Sequence, residues 1–137
     1  MSNLYAGLMS GTSLDGVDAA LVEFSGAAER PDSARLVAFR TDPYDPEIAA
    51  RLLEAVAGRS GSKELCDLGF ELGERFSASV LALLADAGVA ASEVAAIGSH
   101  GQTVWHRPPA SRRPGATLQI GESAVLAEQT GIDVISD

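Results

Sequence analysis

Apolar positions fall in runs whose period changes along the chain. Leu4–Met9 is a short continuous apolar run, and Val17–Phe24 and Ala34–Arg40 alternate in part between apolar and polar residues. A period of two puts successive side chains on opposite faces, so all three segments read as strands. Ser10-Gly11-Thr12-Ser13 and Asp15-Gly16 supply turn chemistry between the first two, and Ser25–Ser33 is a polar connector to the third. Strands this close in sequence pair most simply as an antiparallel meander.

The period then lengthens. Asp45-Pro46-Glu47 supplies an N-cap, a proline for the first helical position and an acid for the first turn. Ile48, Leu52, Leu53 and Val56 follow at helical spacing, and Gly58 stops the run. Ser62 opens a longer helix that ends at Gly88. Its broad apolar side carries Leu65, Leu68, Phe70, Leu72, Phe76, Val80, Leu83 and Leu84. Val94–Ser99 reads as a fourth strand, His100–Gly115 as a loop rich in proline and arginine, Ala116–Ile120 as a brief strand, Ser123–Gln129 as a helix closed by Gly131, and Asp133–Ile135 as a last strand. Hairpin-linked strands followed by helices alternating with strands predict an α/β mixed sheet with helices packed on it. The last strand meets the end of the sequence without a cap or polar tail, as in a chain that continues.

The chain has 137 residues, which suits one domain. Hydrophobic residues at 46% and charged residues at 21% allow an aliphatic core and argue against disorder. Ten basic against 19 acidic side chains give a net charge of −9, which lacks the basic footprint of a nucleic-acid binder or of a protein held to an anionic membrane. A lone cysteine, Cys66, excludes an internal disulfide and a cysteine zinc site; on the apolar side of its helix it is expected to pack rather than react. The N-terminus lacks the basic flank of a signal peptide, and no apolar run reaches the roughly 18 residues of a membrane span. A cytoplasmic location is the expectation.

Three stretches carry candidate chemistry. Gly7–Asp18, GLMSGTSLDGVD, is a glycine-rich turn between strands whose backbone N–H groups suit a phosphate. It is no Walker loop, because Val17-Asp18 stands where Lys-Ser/Thr belongs and a strand follows. Asp15 and Asp18 would suit a magnesium ion or its waters beside such a phosphate. The alternative is a plain connecting turn, since turns use these residues widely. Gly98–Pro108, GSHGQTVWHRP, places His100, Gln102, Thr103 and Trp105 after a strand, the makings of a sugar pocket; a core Trp105 and a structural His100 are the alternative. Thr117 and Gln119 share one face of the 116–120 strand, facing either that cleft or solvent. A Ser99–His100–Asp137 hydrolase is disfavoured: the GxSxG elbow is absent, and adjacent strand residues face opposite ways.

GLMSGTSLDGVD, AIGSHGQTVWHRP (Ala96–Pro108) and TLQIGESAVLAEQTGIDVISD (Thr117–Asp137) together resemble the 1,6-anhydro-N-acetylmuramic acid kinases of bacteria, in order and spacing from residue 4 to the last. One departure is Glu122, where the family usually has Asp. The resemblance implies an RNase H-like lobe of the actin, Hsp70 and sugar kinase superfamily: a mixed five-stranded sheet, three antiparallel strands first, with helices packed on it. It implies use of ATP and Mg²⁺ to open the anhydro ring with water and phosphorylate O6, giving N-acetylmuramate 6-phosphate in cell-wall recycling. By motif, Gly11, Thr12, Ser13, Leu14, Asp15, Gly16, Val17 and Asp18 would hold the nucleotide phosphates. His100, Gln102, Thr103, Thr117 and Gln119 would line the sugar site, and no residue is assigned as a metal ligand. Members are more than twice as long, so residues 1–137 would be the N-terminal lobe, inactive alone. The general-base carboxylate and second lobe are expected beyond Asp137, and a homodimer is expected for the full-length protein. A non-catalytic sugar-binding or regulatory module of the same fold is the alternative.

Overall fold

The computed structural model describes residues 3–27 and 30–137. Strands β1 (Leu4–Ser10), β2 (Gly16–Ala27) and β3 (Arg30–Pro43) form the antiparallel meander, followed by α1 (Pro46–Val56) and α2 (Ser62–Ala87). A single 3-10 turn, Ala91–Glu93, leads into β4 (Val94–Arg107), then β5 (Ala116–Ile120), α3 (Ser123–Thr130) and β6 (Val134–Ser136). The sheet has six strands, one more than the five expected. Its order is β3-β2-β1-β4-β5, with β6 also on β4. β4 runs parallel to β1 and β6 and antiparallel to β5, so the sheet is mixed.

The apolar pattern itself marks all six, the sixth being β6 beside β4, while the resemblance implies five; a second difference concerns the length of β4. Residues 100–107, expected as loop, continue β4, because 102–107 pair with 116–120. Thr103, Val104 and Trp105 are β-branched or aromatic, the types that favour a pleated surface. The proline-rich loop is confined to 108–115. β4 thus serves two neighbours in succession along one edge, β6 with its first half and β5 with its second.

All three helices pack on one face. Ala6, Leu8, Val17, Ala19, Leu21 and Ile97 point from the strands into a core that Ile48, Leu52, Leu68, Leu72, Phe76, Val80 and Leu126 fill from the helices. Asp45 caps α1, its Oδ1 accepting the Ile48 N–H at 2.9 Å. Arg51 joins α1 to α2 by bonding Glu64 at 2.6 Å and Glu71 at 2.8 Å. Gly88 and Gly131 close α2 and α3 in the left-handed conformation, as the sequence implies. Phe70 and Cys66 depart from expectation: the buried stripe of α2 runs through Leu68, Gly69, Leu72, Gly73 and Phe76, which leaves both residues outside it and exposed. The opposite face of the sheet is bare among the described residues, with Met9, Phe39 and Ile135 exposed on it. No helix of the described residues is long and apolar enough to cross a membrane.

The seam between α2 and the start of α3 depends on absent side chains. A Cβ on Gly73 would sit 2.7 Å from the Glu122 carbonyl oxygen, whereas one on Gly69 would meet nothing closer than 3.9 Å. Gly73→Ala is therefore expected to destabilise by about 1–3 kcal/mol through overpacking. Gly69→Ala is expected to stabilise by about 0.5–1 kcal/mol through helix propensity. Urea unfolding midpoints of the two variants, moving in opposite directions, check this.

Candidate functional site

β1 and β4 are parallel, and their C-terminal ends lie side by side with Ser10 opposite Gln102. That edge is where open α/β sheets hold ligands. The turn after Ser10 and the strand residues around His100 meet there.

The turn spans Gly11 to Asp15. Thr12 and Ser13 are exposed at its tip. The Leu14 N–H donates to the Gly11 carbonyl at 3.2 Å, and the Ser13 hydroxyl donates to Asp15 Oδ1 at 2.6 Å. Leu14 adopts φ +58°, uncommon for a branched apolar residue, and its side chain packs against the core. Gly16 and Val17 belong to β2 and are buried, so they present no side chain to the surface. A Cβ on Gly16 would lie 2.4 Å from the Asp42 carbonyl oxygen; the glycine lets β3 close on the turn. Gly11 has no such constraint, since the nearest atom to its would-be Cβ is Ser13 Oγ at 3.6 Å. Its bare backbone leaves room for a ligand to approach.

β4 changes phase as it passes the turn. Leu8 pairs with Ser99 and Ser10 with Gln102, so β4 carries one extra residue over that interval. This β-bulge contains Gly101 at φ +72°, where a Cβ would also press on the Ile120 carbonyl oxygen at 3.0 Å. Before the bulge Ile97 and Ser99 point into the core and His100 points away; after it Gln102 and Val104 point inward and Thr103 outward. The His100-Gly101-Gln102-Thr103 stretch is thereby split. His100 and Thr103 stay on the uncovered side with Gln119, whose Nε2 donates to Thr103 Oγ1 at 3.2 Å and Thr117 Oγ1 at 2.6 Å. His100 and Gln119 line one small hollow. Four of the five residues assigned to the sugar thus share a side.

Gln102 is the exception. It is fully buried, and both ends of its amide are bonded within the chain. Nε2 donates to the Gly11 carbonyl at 3.3 Å and the Thr103 carbonyl at 3.1 Å, while Oε1 accepts from the Ser10 hydroxyl. Ser10 Oγ in turn pairs with the Tyr44 hydroxyl at 2.6 Å, and the Tyr44 N–H donates to the Asp15 carbonyl at 3.0 Å. In the sequence Ser10 reads as turn chemistry with a hydroxyl for a ligand, whereas the structure makes it a buried brace. Tyr44 carries no role in the sequence. The only trace of Tyr44 there is a lone aromatic between Pro43 and Pro46, at the junction of a strand and a capped helix.

A groove of about 510 Å³ lies on the uncovered face, lined by Gly7, Met9, Asp18, Phe39, Gly98 and His100. Asp18 from the hairpin and His100 from β4 therefore border one space. Asp18 Oδ1 accepts from Thr41 Oγ1 at 2.6 Å. Among the described residues no three His, Cys, Asp or Glu side chains gather into a metal cage. Two exposed carboxylates, Asp15 and Asp18, suit a magnesium ion that keeps most of its waters and arrives on a phosphate. Trp105 stands apart, 53% exposed and paired with Leu118 on the outer part of the β4–β5 ribbon, so it is not core. Ser99 is buried on the helix side while His100 faces away, which leaves no Ser–His relay.

A sequence model of the family described as "Anhydro-N-acetylmuramic acid kinase" matches residues 3–137. The chain belongs to the anhydro-N-acetylmuramic acid kinase family. It is 42% identical to a protein of that name from Caldanaerobacter subterraneus subsp. tengcongensis, over 98% of this chain and 35% of that protein. It is also 44% identical to one from Shewanella pealeana, over 99% of this chain and 35% of that protein. The chain thus spans about a third of the length of the relatives it matches.

In this member of the anhydro-N-acetylmuramic acid kinase family, the phenol that braces the turn is itself perturbed. Burial pushes Tyr44 from 10 up to about 12, with the Ser10 hydrogen bond acting in the opposite sense. The unfolded phenol titrates at its ordinary 10, so this contribution to stability is intact below pH 10 and is lost as pH rises towards 12. Phenolate absorbance is expected to show one of the two tyrosines ionising near 12. Tyr44→Phe should abolish that transition and flatten the alkaline fall in melting temperature.

Proposed function

We propose that this chain forms the N-terminal lobe of an ATP-dependent kinase acting on 1,6-anhydro-N-acetylmuramic acid. Water opens the anhydro bond and O6 is phosphorylated, giving N-acetylmuramate 6-phosphate for cell-wall recycling in the cytoplasm. The observation that carries this reading is the meeting of the two segments: the Gly11–Asp15 turn is bonded to β4 through Gln102, and Asp18 and His100 border one groove.

In this reading the backbone amides of Gly11–Ser13 hold the terminal phosphates of ATP, as fixed dipoles at a turn do without a lysine. Asp15 and Asp18 orient the hydrated Mg²⁺, the attacking water or the sugar. His100, Thr103, Thr117 and Gln119 hold hydroxyl and acetamido groups of the anhydro sugar. Phosphoryl transfer is mostly a matter of alignment and charge neutralisation, so a lobe that aligns both substrates supplies half the requirement. The adenosine site and the general-base carboxylate would come from a second lobe that closes on this one.

The test is coupled turnover by the full-length protein supplied with MgATP and anhydro-N-acetylmuramate. ADP and N-acetylmuramate 6-phosphate should appear together, and Asp18→Asn should lower kcat/KM by at least about 100-fold, as for loss of a positioned charge. Residues 1–137 alone should give no turnover. Sugar binding by the full-length protein without ATP binding would instead indicate a regulatory module and overturn the kinase reading.

A further inference from the structure

We propose that Gln102 is a positioning residue for the phosphate turn and does not contact the sugar, although it lies between His100 and Thr103 in sequence. This rests on the kinase reading for the identity of the two ligands. The bulge at Gly101 turns Gln102 to the buried side, where every contact its amide makes lies within the chain. Two of those partners, Ser10 Oγ and the Gly11 carbonyl, are the residues from which the turn springs.

The carbonyl of Gly11 and the N–H of Thr12 belong to one planar peptide unit. Holding that oxygen down towards Gln102 fixes the plane of the peptide and so aims the Thr12 N–H away from the core, towards the turn's exposed tip. Tyr44 supports the far end by donating its own N–H to the Asp15 carbonyl, and it joins Gln102 through the shared Ser10 hydroxyl. The turn is thus gripped at both feet by one buried chain of hydrogen bonds. Amides prearranged in this way lose no energy to reorganisation when an anion arrives.

The experiment uses the full-length protein and varies MgATP and anhydro-N-acetylmuramate separately. Gln102→Met keeps the side chain's length and removes all three hydrogen bonds. The KM for ATP should rise about tenfold, the equivalent of one lost hydrogen bond, while the KM for the sugar stays within about twofold. Hydrogen exchange should speed up at the amides of residues 11–15 and not across the remaining strands. If Gln102→Met does not fold, Ser10→Ala cuts the same chain with a smaller change and should show the same split between the two KM values. Exchange alone would not suffice, because a purely structural glutamine also loosens its neighbours; the split between substrates is what separates the roles. A rise in the sugar KM with ATP unaffected would make Gln102 a sugar ligand and overturn the proposal, as would no change in either. If wild-type protein neither binds nor turns over MgATP, the kinase reading itself falls, and that control is read before any variant.

Discussion

A buried amide beside an exposed turn sets the terms for the rest of this molecule. Placing Gln102 out of contact with water is costly unless each of its polar atoms finds a partner, and here its bonds to Ser10 and Gly11, with Tyr44 joined one step further on through the Ser10 hydroxyl, tie together three different segments. Ser10 ends β1, Gly11 begins the turn and Tyr44 joins β3 to α1. Satisfying one side chain therefore fixes how the hairpin, the central parallel strand and the first helix meet. The apolar core beneath needs only volume and pattern; this polar knot requires specific geometry.

The same knot explains the division of labour around the sheet edge. Hydrogen bonds on the helix side hold the backbone in place, and side chains on the bare side remain available for ligands. His100, Thr103, Thr117 and Gln119 are on the bare side because of register, and Asp18 joins them because it alternates out of β2 between buried Val17 and Ala19. Sequence position alone would group His100, Gln102 and Thr103. The sheet separates them by facing direction.

Much of the architecture could be read from the chain. The meander, the Asp45-Pro46 start of α1, the glycine stops of α2 and α3 and the apolar stripe of α2 all follow from local rules that tertiary contacts do not override. What escaped lies where one local signal imitates another. His100–Arg107 follows a strand and runs into a proline-rich stretch, so it reads as loop, and only the partner strand at 116–120 shows that 102–107 continue β4 beyond the Gly101 bulge. Phe70 and Cys66 looked apolar enough to be inside, but a buried stripe two residues wide does not reach them. Ser10 and Tyr44 left little trace, because a serine after a strand and a tyrosine between prolines are common, and their meaning arises only from a contact 34 residues apart. The strings shared with the family located the edge that matters without saying which way each side chain points.

One inserted residue gives β4 a property that an unbroken strand lacks. Within a regular ladder a residue's parity decides whether it belongs to the interior or to the surface for the strand's whole length. The Gly101 bulge resets that parity at a single step, so even-numbered residues face out at His100 and in at Gln102. The spacing between Ser99 and Gln102 thus carries as much information as the letters themselves: the same residues laid into an unbroken ladder, with Gly101 paired in turn, would direct the histidine and the glutamine to the same side.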